Sequence, residues 1–460
     1  MSDPRPHSIV FREDLCTGCT ACVKACPTGA IRLRDGKARI LDERCIDCGA
    51  CIRVCPASAK TARTDPLHAI RGYAHAIALV GPEVYGQFGD DITPEMVLQA
   101  ILGLGFNEVF DVTLACEELI IAIRRYLAGS PKRRPMISFT CPAVVRLIAA
   151  RYPNLLPNVV PLRSPMGVAA RHLRETRPGE LGLKPEEIGL FYITPCPAKV
   201  TRIRRPLTDR EAYFAGAIAL SDVYGEILAG VRKVREDGRK RPQLFQATGY
   251  GLGWGGSGGE ARSLLMDDCL YVDGMPNVLK IFEEIERGEM SRLSYLEVMA
   301  CTGGCVGGPL TVDNVFVARN KIQKMVRLFS AREANVLEGF VLRRYREGYY
   351  HHERDLQPRL IDPLDANPLA AIKKVKARQA ILDALPGIDC GACGAPTCRA
   401  LAEDVVQERA ERTDCVFVLF EQANEMAKRV VDWTGKLPTG ARRSAAEPAG
   451  VPAAIKERKG

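Results

Sequence analysis

Sixteen of the eighteen cysteines in this 460-residue chain fall into spaced groups, so metal-thiolate chemistry is the first chemistry its residues offer. Cys16, Cys19, Cys22 and Cys26 run into Pro27, and Cys45, Cys48, Cys51 and Cys55 run into Pro56. Both stretches read C-x-x-C-x-x-C-x-x-x-C-P, the second 29 residues after the first, which marks an internal duplication. Four more cysteines sit in three separated stretches: Cys141 in Thr140-Cys141-Pro142-Ala143, Cys196 in Pro195-Cys196-Pro197-Ala198-Lys199, and Cys301 with Cys305 around Gly303-Gly304 and before Gly307-Gly308. A last set, Cys390, Cys393, Cys398 and Cys415, lies towards the C-terminal end, and Cys116 and Cys269 are left over. Thiolates in fours hold zinc or iron-sulfur clusters. Zinc sites more often mix in histidine or use two C-x-x-C pairs. The one histidine pair, His351 and His352, has no cysteine nearby in sequence and reads as surface. With no apolar leader after a basic start and no apolar stretch of membrane-spanning length, the sequence predicts a cytoplasmic protein with free thiols and no membrane insertion.

The duplicated segment resembles a bacterial two-cluster ferredoxin. In that pattern three closely spaced cysteines wrap one cubane and the fourth reaches the other, so Cys16, Cys19 and Cys22 are expected to share a 4Fe-4S cluster with Cys55, and Cys45, Cys48 and Cys51 with Cys26. The C-terminal set resembles a small four-cysteine iron-sulfur domain found in several redox complexes, with zinc as the alternative. The three middle stretches, in type and order, resemble the signature loops of the FeFe-hydrogenase large subunit over about residues 70–345. The resemblance implies that Cys141, Cys196, Cys301 and Cys305 hold a cubane. It also implies that Cys305 bridges to a two-iron subsite carrying carbon monoxide and cyanide, that Lys199 contacts a cyanide, and that Met299 packs beside the subsite. Independently of it, four thiolates on strand-end loops suffice for one more 4Fe-4S site, and a lysine buried among them is costly unless an anion pairs with it.

Departures from the family pattern bear on mechanism. The position expected to carry a proton-donating thiol is Thr140, and an alcohol ionises too reluctantly to serve near neutral pH. The relay carboxylate next in line is kept as Glu118, but the two polar positions beyond it fall on Val160 and Ile121. Thr194 and Arg202 replace a methionine and a glutamate beside the second loop.

A composition of 47% hydrophobic and 26% charged residues describes a globular chain of several domains. Apolar runs at 76–80, 136–140, 188–194 and 244–248 alternate with helical patterns at 94–104, 117–127 and 276–286, which predicts an α/β region of largely parallel strands with Cys141 and Cys196 at strand ends. Helices are also expected at 370–385 and 399–409. The latter rises about 16 Å, so the chain must double back through 411–414 for Cys415 to rejoin its group. The expected division is 1–65, a two-cluster 4Fe-4S ferredoxin domain; 66–350, an FeFe-hydrogenase-like α/β domain; 362–433, a small, mainly α iron-sulfur domain; and 434–460, a disordered tail. Gly251, Gly253 and Gly256 fit a dinucleotide-binding spacing, but in a stretch so rich in glycine the match carries little weight. The formal charge of +9 falls to about +1 once four cubanes of about −2 each are bound, which argues against nucleic acid as a partner. The basic runs 132–134 and 232–241 read as solvated faces, with docking of an acidic electron-transfer partner as the functional alternative.

These features together predict a redox protein with four 4Fe-4S clusters and a two-iron subsite, reacting with hydrogen or protons at low turnover as a hydrogen or redox sensor. It resembles the sensory members of the family, whose signalling output would here lie on a separate kinase or phosphatase. Ferredoxin or another redox protein and the H-cluster maturation enzymes are the other expected partners. A ferredoxin-linked hydrogenase with another proton path, and an electron relay lacking the two-iron subsite, are the alternatives. Because each cubane takes four thiolates, Cys390→Ala or Cys415→Ala is expected to remove about four irons and leave the rest. Stoichiometric zinc with unchanged iron in these variants would contradict the C-terminal assignment.

Overall fold

The computed structural model describes residues 7–209, 212–237, 242–333, 335–359 and 364–436. The chain divides into two compact units, Met1–Asp362 and Pro363–Gly460. Two parallel sheets organise the first. His75–Val80 and Ile188–Thr194 are apolar runs buried almost throughout, as strands covered on both faces must be. They pair at the centre of a four-stranded sheet in the order Glu108–Asp111, His75–Val80, Ile188–Thr194, Gly216–Ala219. A second sheet runs Cys269–Asp273, Tyr295–Met299, Met136–Ile137, also parallel. Parallel strands bring their carboxyl ends to the same edge, and the cysteines follow those ends. Cys141 caps the helix Pro142–Arg151, Cys196 caps the helix Pro197–Arg204, and Cys301 lies two residues beyond Met299.

The duplicated segment folds as two equivalent halves. Ile9–Phe11 pairs antiparallel with Lys60–Ala62, Ile31–Arg34 forms a hairpin with Lys37–Ile40, and each half adds a short helix, Ala21–Ala25 or Ala50–Arg53. The repeat extends to backbone conformation. Gly18 and Thr20 are left-handed in the first half, as are Asp47 and Gly49 at the matching positions of the second, because each loop must curl its amides and thiols around one centre.

This segment is fastened to the sheet domain by buried polar contacts. The Asp47 carboxylate accepts from Ser8 N at 2.9 Å and from Arg146 Nη1 at 2.9 Å, while Ser8 Oγ donates to Pro197 O at 2.8 Å. Arg359 reaches Cys45 O and Asp42 O from the far end of the same unit.

Several expectations need correction. Residues 244–248 form no strand: their amides turn to carboxylates, Leu244 and Phe245 to Glu95 and Thr248 to Glu117. The strand–turn–helix context that a dinucleotide site requires is therefore missing before the glycine-rich stretch, which instead makes two short helices, Gly249–Gly253 and Gly259–Ser263. The run 136–140 contributes only Met136–Ile137 to the sheet. His351 and His352 are half-buried rather than surface residues. His352 hydrogen-bonds Leu162 O at 2.8 Å, its ring lies 4.1 Å from that of Phe139, and burial pushes its pKa down to about 3.

The second unit contains the helices Pro368–Asp383, Cys398–Val406 and Val416–Gly435. After Val406 the chain does double back, through the 3-10 turn Arg412–Asp414, and Cys415 joins Cys398 in one small core. The helix runs past residue 433 to Gly435. The remainder of the expected tail, 437–460, lies outside the described residues, as do 238–241 of the second basic run.

Breaking the buried Asp47–Arg146 pair strands a charge, which costs about 3–5 kcal/mol. Asp47→Ala is therefore expected to lower stability by that order in anaerobic denaturation of the holoprotein. The double variant Asp47→Leu with Arg146→Met should recover most of the loss. A single-variant effect below about 1 kcal/mol would show the pair to be dispensable.

Candidate functional site

Cysteines gather into cages within each unit. One pocket is lined by Cys16, Cys19, Cys22 and Cys55, with the Lys60 ammonium 3.3 Å from Cys22 Sγ. A second is lined by Cys26, Cys45, Cys48 and Cys51. The fourth cysteine of each repeat thus faces the other repeat's trio. Amides mark the symmetry: Ala30 N donates to Cys26 Sγ and Ala59 N to Cys55 Sγ, each at 3.2 Å, and such bonds favour the sulfur as an anion. In the C-terminal unit burial raises the Cys393 thiol, with Cys390 and Cys415 near enough to add to the effect, and Cys398 shares a core with Cys415.

The third cage stands at the strand ends. Cys141, Cys196, Cys301 and Cys305 interact electrostatically. Burial drives three of the thiols upward: Cys141 is raised, Cys196 is pushed up to about 12, and Cys305 goes well above the usual range. Iron ligation would remove that cost by replacing the proton with a metal bond. The loop from Cys301 to Cys305 needs its glycines. Gly303 and Gly304 have φ of 77° and 87°, and a Cβ on Gly304 would lie 2.5 Å from Ser257 N. Thr194 shapes the other loop, its hydroxyl donating to Cys196 O at 3.0 Å and accepting from Cys196 N at 3.2 Å. The ferredoxin-like segment meets this cage directly: Cys301 is among the charges that raise Cys48.

Beside Cys305 lies a separate small pocket, lined by Pro82, Glu83, Val112, Cys116, Thr140, Ser164, Pro165, Met166, Tyr192, Lys199 and Trp254 as well as Cys305 itself. Lys199 and Thr140 are therefore brought together with Cys305, as the sequence suggested. Met299 is buried but is not in that wall; its sulfur packs instead against Gly304. Glu118 also stands elsewhere, accepting from Tyr350 Oη at 2.5 Å, and burial raises its pKa. Val160 is deep in the apolar core with Ile121 packed against it, so the positions beyond Glu118 offer nothing to a proton. Arg202 is buried, its guanidinium 4.1 Å over the Phe139 ring, and burial lowers its pKa to about 10.

Sequence reasoning missed the carboxylates. Lys199 Nζ donates to Glu83 Oε1 at 2.5 Å, Tyr192 Oη donates to the same oxygen at 3.2 Å, and both charged side chains are buried. Glu83 follows Gly81-Pro82 at the carboxyl end of His75–Val80, which is the one signal that could have found it. Thr140 bonds to Glu260, whose Oε2 also accepts from Ser138 Oγ at 2.8 Å and whose Oε1 accepts from Tyr295 Oη at 2.5 Å. Close by, Glu297 accepts from Gly258 N and Ala261 N, and burial together with the Glu260 charge pushes it up to about 8. Cys116, left over in sequence, is a buried thiol in the pocket wall.

Residues 74–222 and 239–309 match the family of the iron-only hydrogenase large subunit, C-terminal domain; residues 8–56 match the 4Fe-4S dicluster domain, and 385–417 an Fe-S cluster family. Among curated proteins the chain is 25% identical to iron hydrogenase 1 of Clostridium pasteurianum over 286 residues, 51% of this chain and 49% of that one. It is 29% identical over 122 residues to the cytosolic Fe-S cluster assembly factor nar1 of Talaromyces marneffei, 23% of this chain and 21% of that one. The solved FeFe-hydrogenase HydA1 of Chlamydomonas reinhardtii aligns over 64% of this chain and 98% of its own, at 16% identity and a TM-score of 0.47. The chain spans about half the length of iron hydrogenase 1 and of the NADP-reducing hydrogenase subunit HndD of Solidesulfovibrio fructosivorans. It is an FeFe-hydrogenase-like iron-sulfur protein, with iron-sulfur domains on either side of the hydrogenase-like region. Among the described residues no helix is long and apolar enough to cross a membrane.

Glu297 generates a pH prediction. A carboxyl whose folded pKa is raised contributes stability at low pH that is lost as pH climbs from its ordinary value, near 4.5, through about 8. The stability of Glu297→Gln relative to wild type is therefore expected to improve steadily from pH 6 to pH 8 in denaturation of the anaerobic holoprotein. A gap that does not change with pH would mean that Glu297 is ionised throughout.

Proposed function

We propose that this protein is a redox protein that moves electrons through four 4Fe-4S clusters and serves in sensing or relay rather than in fast hydrogen turnover. The clusters are held by Cys16, Cys19, Cys22 and Cys55; by Cys26, Cys45, Cys48 and Cys51; by Cys141, Cys196, Cys301 and Cys305; and by Cys390, Cys393, Cys398 and Cys415. Electrons enter or leave the central cluster from the ferredoxin-like segment, where Cys48 faces Cys301. Ferredoxin or another small redox protein is the partner, and a signalling kinase or phosphatase would receive the output.

The observation that carries the reading is the loss of a proton path. Thr140 stands in the pocket beside Cys305 with its hydroxyl committed to Glu260, Glu118 is bonded to Tyr350, and Val160 and Ile121 are packed in apolar core. A positioned acid or base contributes about 10²- to 10⁴-fold to a proton-transfer rate, and a route through Thr140, Glu118, Val160 and Ile121 does not supply it.

A second reading keeps low-turnover hydrogen chemistry. Cys305, Lys199 and Thr140 line one pocket, and on this reading a two-iron subsite delivered by maturation enzymes would have to be held there in place of the contacts Lys199 already makes. Such a group would supply the hydrogen-binding metal; the protein's part would be to hold it by thiolate and ammonium.

Anaerobically prepared protein is expected to bind about 16 irons in four cubanes, to show clusters that reduce in successive waves, and to evolve or consume hydrogen about 10²- to 10⁴-fold more slowly than an enzyme with an intact donor. Iron analysis, paramagnetic resonance and gas assays measure these. Turnover at an enzyme's rate would overturn the sensing or relay role, and zinc in place of iron would overturn the redox role.

A further inference from the structure

A lysine kept to grip a cyanide would wait, in a dry pocket, with its donors unspent. Lys199 does not wait. Its ammonium lies 2.5 Å from Glu83 Oε1 and 3.2 Å from Tyr192 Oη, and it sits 5.0 Å over the Tyr192 ring. The buried cation therefore has an anion that belongs to the chain, and the cost of burying it is already met. Elsewhere in the wall Thr140 bonds to Glu260, and Ser164 Oγ accepts from Gly167 N at 3.4 Å. Among the described residues none of these groups is left without a partner. Any anionic ligand entering beside Cys305 would have to face the Glu83 carboxylate and compete with it for Lys199. The thiolate cage fits a cubane, but the adjoining pocket does not fit a cyanide-bearing group.

We infer that Glu83 is the resident counter-ion of Lys199, that the pocket beside Cys305 takes no two-iron subsite, and that the Glu83–Lys199 pair sets the reduction potential of the central cubane. This rests on the proposed cubane at Cys141, Cys196, Cys301 and Cys305. The ammonium and the Glu83 carboxylate line one small pocket together with Cys305, so both charges stand beside a ligand of the proposed cubane. Reduction adds one electron to the cubane, so a nearby cation eases it and a nearby anion resists it. The two side chains therefore act on the cluster with opposite signs, as positioning residues that never touch iron.

Two measurements on full-length holoprotein test this. In a redox titration with dithionite, followed by paramagnetic resonance, Glu83→Gln is expected to shift the central cluster's midpoint upward and Lys199→Met to shift it downward. The double variant should return towards wild type, and the clusters of the ferredoxin-like segment should stay unmoved. The neutral double variant also guards against loss of folding when one buried charge is left alone. In parallel, wild-type protein produced anaerobically with the H-cluster maturation enzymes should show no infrared bands of bound carbon monoxide or cyanide. Such bands in wild type, or midpoints unchanged in both single variants at full iron content, would overturn the inference. A chain holding about 12 irons, with the central cubane missing, would instead overturn the reading beneath it.

Discussion

A thiol buried in protein keeps its proton unless a cation takes the proton's place, and the arrangement of this molecule follows from that constraint. Cys141, Cys196 and Cys305 are driven towards the neutral form by burial. Only a metal cluster, helped by Lys199 and by backbone amides, can hold four such sulfurs as anions in so small a volume. The parallel sheets serve this need. Their strands end at the same edge, where each following loop can turn a sulfur inward and then enter a helix, so three loops distant in sequence meet without a long excursion of any of them.

The same constraint explains how the ferredoxin-like segment is joined on. An electron handover requires the cages to be held at a fixed separation, and the contacts there are polar and buried rather than a loose apolar patch. Asp47, between Cys45 and Cys48, takes hydrogen bonds from Ser8 and Arg146, and Ser8 reaches the backbone of Pro197, one residue from Cys196. These bonds link the loops of two cages, so movement of one would disturb the other. Cys301 consequently lies near enough to Cys48 to add to the rise that burial imposes on its thiol.

Around the central cage, carboxylates crowd the neighbourhood: Glu83 on Lys199, Glu260 on Thr140 and Tyr295, and Glu297 on two amides. Each is buried and each has specific donors. Such a set fixes the loops around the cage, and it leaves Lys199, beside Cys305, already paired with a carboxylate of the chain.

Much of this was legible in the sequence, because cysteine spacing is a local property. Two residues between thiols is the reach of one tight loop, and a repeat of 29 residues is visible without any fold, so the iron-sulfur character and the crossed grouping of Cys26 and Cys55 could be read directly. Apolar runs such as 188–194 announced buried parallel strands for the same reason. Elements whose fate depends on distant partners could not be read. The run 244–248 has a strand's composition but gives its amides to Glu95 and Glu117, and His351 and His352 look like surface residues until Phe139 and Leu162 fold over the second of them. Lys199 is the sharpest case. Sequence could say that a buried lysine needs an anion, but Glu83 lies 116 residues away, and only the pairing of His75–Val80 with Ile188–Thr194 brings their two loops side by side and decides which anion it is.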